Sequence, residues 1–146
     1  MVTLDAVRTV GILGAGQMGS GIAQVAATHG YDVVMRDIEP QYIDAGVDSI
    51  DRSLARLVER DQLDSADADA ARERITGTTD FADLAAADVV IEAVVEDIDV
   101  KKQVFADLAD ITDDVVLATN TSTLSITSIA AATDCPDLVV GIHFMN

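Results

Sequence analysis

The chain has 146 residues, enough for one domain with a real core, and 49% of them are apolar. Its 26 acidic and 9 basic residues give a net charge of −17, with no basic patch for nucleic acid and no run of about 18 apolar residues that could cross a membrane. Cys135 is the one cysteine, so an internal disulfide is excluded; residues 1–5 do not read as a signal peptide, and the expected setting is a reduced cytoplasm.

Residues 9–13 (TVGIL) form a short apolar run ending in glycines and read as a first strand. Residues 18–29 follow with helical spacing, Met18, Ile22, Val25 and Ala26 on one face, and Gly30 stands where a helix-ending glycine would. A second strand over 31–35 closes on Arg36 and Asp37. Pro40 suits a first helical position, and Ile43, Val47, Ile50, Leu54, Leu57 and Val58 then predict a long amphipathic helix over 40–60. A shorter helix over 65–74, with Asp64 or Ser65 as cap, completes an inserted helical pair. Beyond it come a short strand at 75–79, a strand buried on both faces at 88–93, and a helix at 100–111 with Val104, Phe105, Leu108 and Ile111 inward. A strand at 115–118, a helix at 126–132 and a last strand at 138–142 end the pattern. Such alternation predicts an α/β, doubly wound Rossmann fold: a mostly parallel sheet covered on both faces, with the helical pair inserted after strand two. Residues 1–146 read as one domain. A sheet of this kind normally leads into a second, substrate-binding domain, so the chain reads as part of a larger enzyme.

The sharpest motif is Gly14-Ala15-Gly16-Gln17-Met18-Gly19, a G-x-G-x-x-G between the first strand and the first helix. Gly14 would allow the tight turn, Gly16 the approach of a diphosphate to bare backbone, and Gly19 close packing of helix on strand. Free amides of the helix mouth, those of Gln17 and Met18 among them, would meet the anion. Asp37, at the end of strand two, is placed to accept from the adenosine ribose hydroxyls and to repel a 2′-phosphate, favouring NAD over NADP. Arg36 beside it pulls the other way, unless it is a solvated side chain or a platform for the adenine.

Four stretches then coincide: 14–23 (GAGQMGSGIA), 92–101 (EAVVEDIDVK), 120–126 (NTSTLSI) and 141–146 (GIHFMN). In this order and spacing they resemble the N-terminal, NAD-binding domain of the L-3-hydroxyacyl-CoA dehydrogenase family, over nearly the whole chain. The resemblance implies that NAD takes hydride from C3 of a 3-hydroxyacyl-CoA while His143 acts as general base, an imidazole having its pKa near working pH. It implies that Ser122 hydrogen-bonds the substrate oxygen and touches the cofactor, although Ser122 and Thr123 could also cap the next helix. Glu96, Lys101 and Asn146 match positions that contact the nicotinamide half of NAD; a surface ion pair is the plainer reading of Glu96 and Lys101. Asn120 falls with the cofactor-binding residues, or is a turn former.

On the long helix, Ser53 and Arg60 match positions that bind coenzyme A, or are solvated helix residues. Arg60 keeps the charge of the family's frequent lysine with a different donor geometry. In the family a proline turn and a glutamate that orients the histidine follow the last motif, then a helical domain that closes over substrate and forms a homodimer; the chain ends before both. The expectation is therefore NAD binding with little or no turnover by this chain alone. Another hydroxyacid or sugar-acid dehydrogenase of the same fold is the nearest rival, and a non-catalytic dinucleotide sensor is the rival from another class. His29 and Cys135 receive no role. Because the acids are spread along the chain rather than massed in a tail, they also predict a surface suited to high salt, where like charges are screened within about 3 Å.

Overall fold

Short runs of Val, Ile and Leu alternate with amphipathic helices, and the computed structural model, which describes residues 3–145, resolves the alternation into a layered sheet. The elements in chain order are β1 (Thr9–Leu13), α1 (Gln17–Thr28), β2 (Asp32–Arg36), α2 (Pro40–Glu59), α3 (Ser65–Glu73) and β3 (Ile75–Thr78). There follow β4 (Val89–Glu92), α4 (Ile98–Ile111), β5 (Val116–Thr119), α5 (Ile126–Ala130) and β6 (Val139–Gly141). Every strand pair is parallel, in the order β3-β2-β1-β4-β5-β6. The chain winds outward from β1 to β3, returns to lay β4 beside β1, and winds outward again. The C-terminal ends of β1 and β4 thus flank the switch point, where sheets of this order bind ligands.

Alternation along each strand divides the core in two. On one side α1, α2 and α3 cover Val10, Ile12, Val33, Met35 and Ile75. On the other, α4, α5 and a 3-10 turn at Phe81–Ala86 cover Leu13, Val90, Leu117 and Val139. Phe105 and Leu108 of α4 lie wholly inside the second layer, each stabilising it by about 1.5–3 kcal/mol relative to exposure. The Asp97 carboxylate caps α4 by accepting from the amides of Asp99 and Val100 at 2.9 and 3.1 Å. At the opposite, N-terminal edge of the sheet, Asp88 Oδ2 accepts from the amides of Arg8 and Thr9, each at 2.8 Å. These amides, Thr9 first, hold the Asp88 carboxyl below its usual pKa and tie the start of β1 to the approach to β4.

The expected elements are all present, with ends shifted by one or two residues, but several details differ. Val25, placed on one apolar face with Met18, Ile22 and Ala26, is 47% exposed, and the buried face of α1 is instead Gly19, Ser20, Ile22, Ala23 and Ala27. Asp64 occupies the cap position of α3, yet its side chain makes no capping bond. Ser125, not Ser122 or Thr123, caps α5, accepting from the amide of Ser128 at 3.2 Å. Asn146 lies outside the described residues.

Candidate functional site

The glycine loop gives each of its three glycines separate work. Gly14 has φ +108°, and a Cβ there would stand 2.6 Å from the carbonyl oxygen of Ala93, so the turn after β1 admits no larger residue. A Cβ on Gly19 would lie 1.7 Å from the Gly14 carbonyl oxygen: α1 starts in direct contact with the loop that feeds it. At Gly16 a Cβ would meet nothing within 4 Å, so this backbone faces open space. Gly16 is also the N-cap of α1 and supplies no capping oxygen, which leaves the first-turn amides, including those of Gln17 and Met18, for an external acceptor. Positive dipole, free donors and a bare cradle fit a diphosphate, and thereby the NAD that the motif implies.

Asp37 stands beside this loop and is bonded to it. Its Oδ2 accepts from the Ala15 amide at 2.7 Å and its Oδ1 from the Ile38 amide at 2.7 Å, so the acid fixes the loop while each oxygen keeps a lone pair for a ribose hydroxyl. Arg36 is drawn away from that role. Its guanidinium lies 5.2 Å from the centre of the Phe81 ring, and its Nε donates to the Thr79 carbonyl at 3.3 Å.

Across the switch point, the ends of β4, β5 and β6 gather the remaining candidates. Ser122 is exposed in the loop after β5, and His143 is exposed just beyond β6. The histidine is held on both sides: the Ile142 amide donates to the Thr119 carbonyl at 3.0 Å, and the Phe144 amide to Asn120 Oδ1 at 2.8 Å. Asn120 is therefore the clasp of the His143 segment as well as a turn residue. Glu96 and Lys101 do not form the surface pair that was the alternative to a cofactor contact. The Glu96 carboxylate accepts from the Thr121 hydroxyl, whereas the Lys101 ammonium is 1% exposed and donates to Glu92 Oε1 at 2.5 Å. Sequence reading missed Glu92, Thr119 and Thr121. Their signals were the lone polar residues ending apolar strands β4 and β5 and, for Glu92 and Thr121, a place inside two of the four matching stretches.

Ser53 and Arg60 sit apart from this cluster. They lie two turns apart on one stripe of α2, about 10 Å from each other, with Ser53 half-buried and Arg60 exposed as the residue that ends the helix.

Residues 9–146 match the family described as 3-hydroxyacyl-CoA dehydrogenase, NAD binding domain. A 3-hydroxybutyryl-CoA dehydrogenase of Mycobacterium tuberculosis is 46% identical over 144 residues, covering 97% of this chain and 50% of the relative. A Bradyrhizobium diazoefficiens 3-hydroxybutyryl-CoA dehydrogenase is 43% identical, covering 96% of this chain and 48% of its own length. Among solved structures, the (S)-3-hydroxybutyryl-CoA dehydrogenase of Ralstonia eutropha superposes with a TM-score of 0.94 at 45% identity, covering 96% of this chain and 50% of that one. The chain thus spans about half the length of the 3-hydroxybutyryl-CoA dehydrogenases it matches.

Proposed function

Because the chain belongs to the 3-hydroxyacyl-CoA dehydrogenase family, as its NAD-binding domain, we propose that it serves an enzyme that oxidises a 3-hydroxyacyl-CoA to the 3-oxoacyl-CoA. The observation that carries this reading is the placement, at the same C-terminal end of the parallel strands, of a bare glycine loop and a histidine tethered on both flanks. Gly14, Gly16, Gly19 and the first-turn amides would hold the diphosphate and Asp37 the adenosine ribose. The other half of the dinucleotide must then run toward β4, β5 and β6, where Ser122 and His143 are exposed. Bound NAD supplies the hydride acceptor.

In this reading His143 takes the proton of the 3-hydroxyl and Ser122 orients the substrate oxygen, an acid–base contribution of about 10²–10⁴ in rate. Ser53 and Arg60 are the candidate contacts to coenzyme A, Arg60 through charge-assisted bonds to phosphate. Closure over substrate and a homodimer interface are assigned to polypeptide beyond this domain, and the working environment to a saline cytoplasm.

Titration of the chain with NAD by calorimetry tests the cofactor half of the proposal. Saturable binding is expected, tighter than for NADP, and folded protein that ignores NAD would overturn it. In the intact gene product, His143→Gln is expected to abolish 3-hydroxybutyryl-CoA oxidation while NAD affinity stays within about twofold. Unchanged turnover would remove His143 from the reaction, and an intact wild type that binds NAD without turnover would instead favour a non-catalytic sensor. The net charge of −17 predicts a melting temperature that climbs from dilute buffer to molar potassium chloride, and a flat or falling curve would refute the saline setting.

A further inference from the structure

Arg36 is an odd cation for this chain. There are 26 acids against 9 bases, yet among the described residues Arg36 pairs with no carboxylate. It is held by an aromatic ring and a carbonyl instead: the guanidinium lies over Phe81, 5.2 Å from the ring centre, and Nε donates to the Thr79 carbonyl at 3.3 Å in a surface position. The main chain of the same residue is tied to the glycine loop, its carbonyl accepting from the Gly14 amide at 2.8 Å. Arg36 thus ends β2 held at both extremes of its length, main chain to the diphosphate cradle and guanidinium to the turn after β3.

Phe81 is a fixed surface. It opens the 3-10 turn at Phe81–Ala86, which Asp80 caps by accepting from the Ala82 amide at 2.9 Å. The Thr78 hydroxyl holds the same turn, accepting from the Asp80 amide at 3.0 Å and donating to Asp83 Oδ2 at 2.6 Å. The ring itself is half-buried against the second core layer. A guanidinium already laid on such a ring loses little further freedom when a flat group arrives on its other side. Asp37, next in the chain, is the candidate partner of the adenosine ribose, and the base is joined to C1′ of that sugar. The base must therefore come to rest at the tip of β2. Ile38 at that tip is 66% exposed, so apolar surface is offered there together with the flat cation.

We propose that Arg36, backed by Phe81, is the platform on which the purine of the dinucleotide stacks, with Phe81 a positioning residue that acts through the guanidinium. This rests on the proposed dinucleotide-binding function and deepens it, from diphosphate and ribose to the base. A guanidinium is planar and weakly hydrated, so it can carry a ring on each face, Phe81 on one and the base on the other. Neither bond that holds Arg36 has to break for the base to arrive. A 2′-phosphate would instead have to draw the guanidinium off its ring and stand beside the Asp37 carboxylate. Because a one-ring base covers less of the cation than a purine does, the platform also selects between bases.

The test compares NAD with nicotinamide cytosine dinucleotide, which has the same phosphates, sugars and nicotinamide but a smaller base. Wild type, Arg36→Lys, Arg36→Met, Phe81→Leu and the Arg36→Met, Phe81→Leu double variant are titrated with both by calorimetry. Arg36→Lys keeps the charge and loses the plane; it and Arg36→Met are each expected to weaken NAD by about tenfold and the cytosine analogue by less than about threefold. Phe81→Leu keeps the apolar volume and is expected to cost NAD about two- to threefold alone, but nothing more once Arg36 is methionine, when no cation is left to back. Three results overturn the proposal: Arg36→Lys that binds NAD as wild type does, which would make charge and not stacking the contribution; an unchanged preference for NAD over the analogue in Arg36→Met; or a Phe81→Leu loss that is undiminished in the double variant. Arg36 lies at the surface, so its two variants decide the matter even if Phe81→Leu fails to fold. Wild type that binds neither dinucleotide while folded defeats the dinucleotide reading itself, a result separate from any of these.

Discussion

The two sides of the crevice are built by different means. Around β1 and β2 the site is largely backbone: glycines that let main chain approach main chain, an uncapped helix mouth, and Asp37 bonded to the loop it supports. Around β4, β5 and β6 the site is side chain: a buried Glu92–Lys101 pair, threonine hydroxyls and the Asn120 clasp, which hold loops in place by bonds between residues far apart in sequence. The first kind of site fails when volume is added. The second fails when charge or a donor is removed.

Adding one methyl group at two places should separate the framework from the cradle. Gly19→Ala puts a Cβ 1.7 Å from the Gly14 carbonyl oxygen, a backbone atom that cannot swing aside, so α1 must lift from the loop. A cost of at least about 3 kcal/mol is expected, a large share of a typical 5–15 kcal/mol, and urea denaturation would register it. Gly16→Ala adds the same methyl where nothing lies within 4 Å and φ is −70°, a value alanine adopts freely. Its stability should stay within about 0.5 kcal/mol of wild type while NAD affinity drops more than about tenfold. Equal destabilisation by both would erase the distinction.

Asp37→Asn probes the side chain to which the glycine loop itself is bonded. Charge is lost while shape is kept, so hydrogen bonds to the ribose and to the Ala15 amide both weaken. NAD affinity is expected to fall by about tenfold, and the preference over NADP to narrow, since a 2′-phosphate is no longer repelled. A variant that binds NAD as wild type does would move the ribose contact elsewhere.

The same division explains what could be read in advance. The mostly parallel sheet covered on both faces, the inserted helical pair and the glycine roles follow from local signals: strand–glycine–helix spacing, period and length, all contained within a few neighbouring residues. Val25 shows the limit on the first side, because helical spacing offered two overlapping apolar faces and only the sheet selects between them. On the second side the residues were visible but their wiring was not. Glu96 and Lys101 lie five apart and read as a pair; tertiary placement instead gives Lys101 to Glu92, nine residues back, and gives Glu96 to Thr121, twenty-five residues ahead. Gly46 carried no sequence signal either, yet its α2 backbone comes so close to the glycine loop that a Cβ would stand 2.7 Å from the Ala15 carbonyl oxygen.

The smallest expected effect is at the edge of the sheet that carries no site. Asp88 uses the chemistry of the second side, a carboxylate accepting from amides, at the opposite end of β1 and β4. Its carboxyl is held below the unfolded value of about 3.9. The stabilisation it provides is thus complete above that pH and is lost as pH falls through the lower, folded value. Asp88→Asn should lower the melting temperature by a few degrees at neutral pH, converge with wild type in strong acid, and leave NAD affinity unchanged. A shift in NAD affinity here would mean that the sheet transmits strain from one edge to the other. The selectivity expected for Arg36→Met would then reflect general loosening and no longer a flat cation placed against the base.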